Sequence, residues 1–194
     1  MIVPSEALEN GFVRLEPFEP RHREPLRLAC DADPELWPTL YSMSLGGDQF
    51  DGGWERLRGF QAAGTWLPFA VIRDGEVVGV SSFIGINPNY RTLEIGCTYY
   101  RPNARGGAVN PAAKRLLLEQ AFACGAQRVA FQVDEINLRS QAAVTKLGAV
   151  REGVMRHDKI TWTGRVRSSV IFSILAGEWP DVRTRLDARL AAFG

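Results

Sequence analysis

Hydrophobic and polar positions along the chain alternate between a period of two and a period near 3.6, and the switches mark the elements. The run "GFVRLEP" (11–17) alternates and predicts a first strand. In "EPRHREPLRLACD" (19–31), Pro20 near the start and Leu26 and Leu28 in the body predict a helix. "DPELWPTL" (33–40) is a short helical or turn segment. Trp54, Leu57 and Phe60 fall at helical spacing between glycines, which predicts a helix within 46–64. The stretch "LPFAVIRDGEVVGVSSFIGI" (67–86) holds two β-rich runs on either side of Asp74-Gly75, a strong hairpin signal. "RTLEIGCTYY" (91–100) is the next strand. "NPAAKRLLLEQAFACG" (110–125) predicts a helix, with Asn110 as N-cap, Pro111 at the first helical position and Gly125 at the end. "RVAFQVD" (128–134) is a strand, and "NLRSQAAVTKLG" (137–148) a short helix closed by Gly148. "AVREGVMR" (149–156) and "VRSSVIFSIL" (166–175) are late strands. A terminal helix over 179–193 carries Val182, Leu186 and Leu190 on one face.

This order predicts an α+β (mixed α/β) fold with a mostly antiparallel sheet of about six or seven strands, flanked by helices. The strand–loop–helix–strand unit from 93 to 133 suits a right-handed crossover.

Composition narrows the class. With 194 residues, 45% of them hydrophobic, one sizeable core is expected, hence a single domain over 1–194. The 23 Lys and Arg nearly balance 22 Asp and Glu, so bulk charge gives no sign of a nucleic-acid partner. Cys30, Cys97 and Cys124 form no CxxC pair, and His22 and His157 are far apart. Neither a disulfide framework nor a metal site is expected. No basic segment followed by an apolar one opens the chain, and no apolar run approaches the ~18 residues of a membrane span. A cytoplasmic protein with no membrane partner is expected, and the sequence leaves a homodimer open.

The candidate chemistry starts at the loop 103–108. Small residues stand where backbone must come close to something, and a helix N-terminus follows with free N–H groups and a positive dipole end. Such a site favours an anion, typically phosphate. Arg101 and Arg105 add positive charge. The same local sequence also suits a Gly-rich turn beside a capped helix. Neither GxxxxGK[ST] nor GxGxxG is present.

A second motif gives the loop a context. "VDEINLRSQAAVTKLGAVREGVMR" resembles the second half of the acetyl-CoA site in the GNAT superfamily of N-acetyltransferases, through Asn137, Arg139, Ser140, Ala142, Lys146, Leu147, Gly148, Glu152, Gly153 and Arg156. The loop Asn103-Ala104-Arg105-Gly106-Gly107-Ala108 resembles that family's pyrophosphate loop, Q/R-x-x-G-x-G/A, with Gly106 and Ala108 on the pattern and Asn103 departing from it. "LEIG", "NPAAKRLLL" and "FSILAGEWP" resemble the branch that includes the ribosomal-protein alanine and serine N-terminal acetyltransferases. The resemblance runs from residue 12 to the terminal helix.

The resemblance implies acyl transfer from acetyl-CoA to a primary amine. Backbone N–H groups of Arg105, Gly106, Gly107, Ala108, Val109 and Asn110 would hold the pyrophosphate, with Arg101 and Arg105 nearby. Lys114, one turn beyond Asn110, either reaches a phosphate or is a solvated helix residue. The sheet would splay after Glu94 in its fourth strand, and the pantetheine arm would bond the backbone at Thr98 and Tyr100. One N–H there would polarise the thioester carbonyl. Glu94, a carboxylate in an apolar strand, is the candidate base, its alternative being an ion pair with Arg91 or Arg101. Ser140 by itself reads as a helix cap; in the resembled branch the serine of N-x-x-S lies near the sulfur and would protonate or stabilise the thiolate. Many GNAT enzymes use a later tyrosine there, and none follows Tyr100 in this chain. Asn137 would bond the pantetheine or fix the helix start. Trp37, Tyr41, Ser81, Ser82 and His157 are the acceptor-side candidates. The branch commonly has Asp where this chain has Ser168, which removes that carboxylate from acceptor binding.

The leading expectation is thus an acetyl-CoA-dependent N-acetyltransferase for a peptide or protein N-terminal amine. A small-molecule amine is the alternative acceptor. A non-catalytic acyl-CoA-binding protein is disfavoured by the joint presence of Glu94 and Ser140, and a phosphate-binding module of another kind by the N-x-x-S helix.

Overall fold

The chain opens with a two-residue strand β1 (Leu8–Glu9) and β2 (Arg14–Pro17), followed by three helices, α1 (Arg23–Asp31), α2 (Leu36–Leu40) and α3 (Phe50–Ala62). A meander of β3 (Trp66–Arg73), β4 (Glu76–Asn87) and β5 (Thr92–Tyr100) leads into α4 (Val109–Ala123). Then come β6 (Arg128–Asp134), α5 (Leu138–Leu147), the hairpin β7 (Val150–Ile160) and β8 (Val166–Leu175), and α6 (Trp179–Ala191). This computed structural model describes residues 1–194. The strands form one sheet of eight in the order β1-β2-β3-β4-β5-β6-β8-β7. Every neighbouring pair is antiparallel except β5 and β6. The strand beyond the expected seven is β1, too short to leave an alternation in the sequence.

Turn chemistry sets the meander. Asp74 (φ 54°) and Gly75 (φ 79°) take the left-handed conformations of a two-residue type I′ turn, which pairs Arg73 with Glu76. Each sheet face buries its own core. On one face α4, α5 and α6 cover Phe83, Leu93, Ile95, Phe131 and Phe172. On the other, α1 to α3 cover Ala70, Val80 and Tyr99 with Phe50, Trp54 and Leu57. The terminal helix buries Val182, Leu186 and Leu190, as its spacing predicts. No helix is long and apolar enough to cross a membrane.

Two features of the fold shape the site. First, β5 and β6 pair only over Thr92–Arg128, Leu93–Val129 and Glu94–Ala130. Beyond Glu94 the two strands part, and the β6 side of β5 has no strand partner. Cys97 interrupts β5 with a φ of +47°, where the register with β4 also shifts. Second, β7 runs four residues past the expected end and bulges between Met155 and Lys159, with His157 at φ +52°. The polar run Arg156-His157-Asp158-Lys159 has no alternation, so the sequence pattern could not carry the strand through it.

Candidate active site

The gap between β5 and β6 opens into a cavity of about 640 Å³. Arg105, Gly106, Asn110, Asn137 and Ser140 line part of it, and Tyr41, Phe60, Trp66, Glu94 and Trp162 line another. The expected donor and acceptor sides are therefore walls of one space.

The loop before α4 is built for backbone approach. Gly106 sits at φ +80°, and a Cβ placed there would meet nothing within 4 Å. Helix α4 begins at Val109, two residues earlier than a cap at Asn110 would start it. Ala108 holds the cap position, and no side chain bonds the first-turn N–H groups. Those groups stay free, and the side chain of Asn110 faces the cavity instead. Val109 is buried in the core, so only its backbone is offered. The two arginines part company. Arg105 lines the cavity, but it is latched: Nε donates to the Tyr100 carbonyl at 2.6 Å and Nη1 pairs with Asp33 at 2.5 Å. Arg101 pairs with Glu76 at 2.5 Å beside a separate surface groove shared with Asn103, and it does not face the cavity.

Lys114 departs from both expectations. It is neither solvated nor turned to the phosphate loop. Its side chain is buried, and Nζ donates to Ser81 Oγ at 2.8 Å and Thr98 Oγ1 at 2.7 Å. Burial pulls its pKa down to about 7. Thr98 turns its hydroxyl to this lysine, and its carbonyl accepts the Tyr41 hydroxyl at 3.0 Å. That leaves N–H groups, rather than the Thr98 carbonyl, for a ligand along β5. Tyr100 is buried, and its hydroxyl has no partner.

Glu94 lies on the cavity wall, and no cation pairs with it: Arg101 is held by Glu76, and Arg91 sits in the turn before β5. Burial raises its pKa above the usual carboxylate range. The positive charges of Lys159 and Arg167 and a bond from the Gln132 backbone pull against that rise. Asp158 adds a second carboxylate on this side, and both its oxygens are buried without a hydrogen-bond partner. Asp158, Lys159, Arg167 and Gln132 were missed in the sequence because they come from the β7 bulge and from polar positions of core strands. The one available signal was the cluster of charges in strands that otherwise bury apolar residues.

Helix α5 is capped by Asn137, whose Oδ1 accepts the Ser140 N–H at 3.0 Å. Ser140 is not the cap, so its hydroxyl is free of that task. Two consequences separate the residues. Asn137→Ala is expected to cost about 1 kcal/mol, lowering the melting temperature by roughly 2–4 °C. Ser140→Ala is expected to leave melting unchanged.

Four acceptor-side candidates lie elsewhere, Ser81 among them, fully buried against Lys114. Trp37 is a core residue, stacked on Tyr99 and donating from Nε1 to the Cys30 carbonyl. Ser82 is fully buried, against the Cys97 thiol. His157 is exposed on the β7 bulge, where its N–H donates to Ser168 Oγ. Ser82 sits at the register shift between β4 and β5, and His157 within the bulge of β7 that turns it outward. Tyr41 does line the cavity. The wall is completed by the β7–β8 hairpin. Trp162 donates from its backbone N–H to the Ser42 carbonyl and from Nε1 to that of Trp37, and Arg165 bonds the Thr39 carbonyl and Asp134.

Comparisons with known proteins agree with this fold. The family model for the acetyltransferase (GNAT) domain matches residues 13–150. An assigned acetyltransferase from T. thermophilus is 36% identical and superposes with a TM-score of 0.87, covering 98% of this chain and 100% of its own. A GCN5-related N-acetyltransferase from Brucella melitensis is 26% identical, with a TM-score of 0.88 over 96% of this chain and 86% of its own. RimJ of Mycobacterium smegmatis, solved with CoA-disulfide, shares the fold at 24% identity, with a TM-score of 0.80 over 96% and 93% of the two chains. No curated protein matches the sequence significantly.

Proposed function

The chain belongs to the GNAT acetyltransferase family and is an N-acetyltransferase, and we propose that its donor is acetyl-CoA and its acceptor the N-terminal amine of a peptide or protein. We take residues 1–194 as one acetyltransferase domain. The observation that carries the reading is the shared cavity: the uncapped N-terminus of α4, the unpaired stretch of β5 and Glu94 all open onto it.

The residues present suit acetyl-CoA. Free N–H groups from Gly106 to Asn110, at the positive end of a 15-residue helix, would take the pyrophosphate. The parted β5 strand offers backbone to the pantetheine arm, which in its bound form supplies a thioester carbonyl as the electrophile. N–H groups near Thr98 and Tyr100 would polarise that carbonyl. On the other wall, Glu94 would accept the ammonium proton and so free the amine. Asp158, whose negative charge raises the proton affinity of Glu94, would support that step from behind the wall. Ser140, freed from capping, would hold the proton destined for the thiolate.

A free thiol has a reference pKa of roughly 8.5, so the thiolate leaves moderately well without help. Ser140→Ala is therefore expected to slow turnover by only about 10-fold, less than loss of the base. An unchanged rate would reduce Ser140 to a wall residue.

The hairpin strap favours a second reading. With Trp162 and Arg165 bonded to residues 37–42, one side of the acceptor wall is closed, which suits a slim small-molecule amine. A thiol-release assay against N-terminal peptides and small amines tests both. Turnover of peptides supports the first reading, and turnover of small amines alone supports the second.

A further inference from the structure

Lys114 is the sixth residue of α4 and falls on the face that carries Leu117, Leu118 and Ala121 into the core. Long charged side chains on such a face usually snorkel to water. This one does not: it is 4% exposed and forms no ion pair. Its nitrogen completes a triangle with two hydroxyls. Nζ lies 2.8 Å from Ser81 Oγ and 2.7 Å from Thr98 Oγ1, and the two oxygens are 2.9 Å apart.

Counting donors shows what the triangle holds. Thr98 Oγ1 has the Gly96 carbonyl as an acceptor at 3.4 Å, and that assignment makes Ser81 the donor between the two hydroxyls. Each hydroxyl then accepts one N–H from the lysine. A neutral amine has two N–H groups to give, and both are matched. An ammonium would bring a third, for which no protein acceptor lies within bonding distance. Burial drives the pKa of Lys114 down to about 7, which agrees with the count. The thiol of Cys97, from β5, is the titratable group that faces it. Strand β4 presents only the Ser81 hydroxyl.

Thr98 and Gly96 flank Cys97, the residue whose left-handed φ of +47° turns the backbone of β5 just where β6 has parted from it. A β-branched or thiol-bearing residue adopts that conformation only when its surroundings enforce it. The lysine bonds this turn from beneath the sheet, on the α4 side.

We propose that Lys114 is a positioning residue for acyl transfer, which through Thr98 and Ser81 fixes the Cys97 turn and so aims the β5 N–H groups at the thioester carbonyl. The proposal rests on the acyl-transfer reading above. It replaces a phosphate-binding role for this lysine.

The test compares Lys114→Met, which keeps an unbranched stem and removes both donors, with the unaltered enzyme. A misaimed donor of this kind is expected to lower kcat by about 10- to 100-fold while leaving the Kd of free CoA within about twofold. The ratio of wild-type to variant kcat should climb as pH rises through 7, since the neutral amine alone matches every N–H to a protein acceptor. A purely structural lysine would give a ratio independent of pH. Thr98→Val cuts the same bond from the other side and carries the test if Lys114→Met does not fold. It should reproduce the kcat loss, and the double variant should be no worse than either single. A kcat near wild type in the folded variant, a flat pH ratio, or weakened CoA binding with kcat intact would overturn the proposal. Turnover of the same amine by the unaltered enzyme is the control that separates this failure from a failure of the acyl-transfer reading.

Discussion

Replacing Glu94 by glutamine is expected to lower turnover by about 10²-fold while changing acetyl-CoA affinity little, as befits the loss of a general base. The substitution is nearly isosteric, and no cation in the structure depends on the carboxylate for its ion pair. The loss should shrink at high pH, where more of the acceptor amine is already free. The raised pKa of Glu94 also shapes the wild-type profile. The base form is lost at a higher pH than for an ordinary carboxylate, so kcat/KM should fall on acidification sooner than a solvent-exposed glutamate would give.

Stability gives an independent check on the same residue. In the folded chain burial disfavours the charged form of Glu94, so its folded pKa lies above its unfolded one. Below the unfolded pKa both states are protonated and nothing is lost. As pH rises from there through the folded pKa, the unfolded state releases its proton first, and folding loses stability. Glu94→Gln removes that loss. The variant should therefore melt at the same temperature as the wild type or higher at neutral pH. A slower but more stable enzyme is the signature of a carboxylate kept for chemistry. Full rate at neutral pH in the variant would leave Glu94 a wall residue.

The elements were legible where a period or a turn residue dictated them. Asp74-Gly75 made its hairpin because two positive φ angles are needed there, and Val182, Leu186 and Leu190 marked the buried face of the terminal helix. The site was legible only in outline. Gly106, Asn137, Ser140 and Glu94 do meet at one cavity, but which way a side chain turns depends on register. Arg101 and Lys114 show the limit. Both looked like phosphate ligands from their distance to the loop. The nearest partner decided each: Glu76 across the hairpin draws Arg101 away, and two hydroxyls on β4 and β5 draw Lys114 under the sheet. The Cys97 distortion carries no local signature, since cysteine does not favour a left-handed backbone, and at His157 a lone histidine, though tolerant of that conformation, does not dictate it. Both distortions are imposed by long-range pairing, and the acceptor wall, including Lys159, inherits their effect.

The second large effect is expected at Gly106, and a pair of substitutions isolates its cause. Aspartate and asparagine both tolerate a left-handed φ better than other side chains, and both have open space at this position. Their backbone costs should therefore match, and only the charge differs. A carboxylate about 5 Å from a phosphate, at an effective dielectric near 20, is repelled by roughly 3 kcal/mol. It would also compete for the N–H groups at the start of α4, which no side chain occupies. Gly106→Asp is thus expected to weaken acetyl-CoA binding by about 10²-fold in calorimetry, with Gly106→Asn much closer to wild type. Added salt should narrow the gap between the two variants, because screening acts on the charge alone. If the folded aspartate variant binds acetyl-CoA as tightly as the asparagine variant, the pyrophosphate does not lie over this loop, and the α4 N-terminus loses its assigned role.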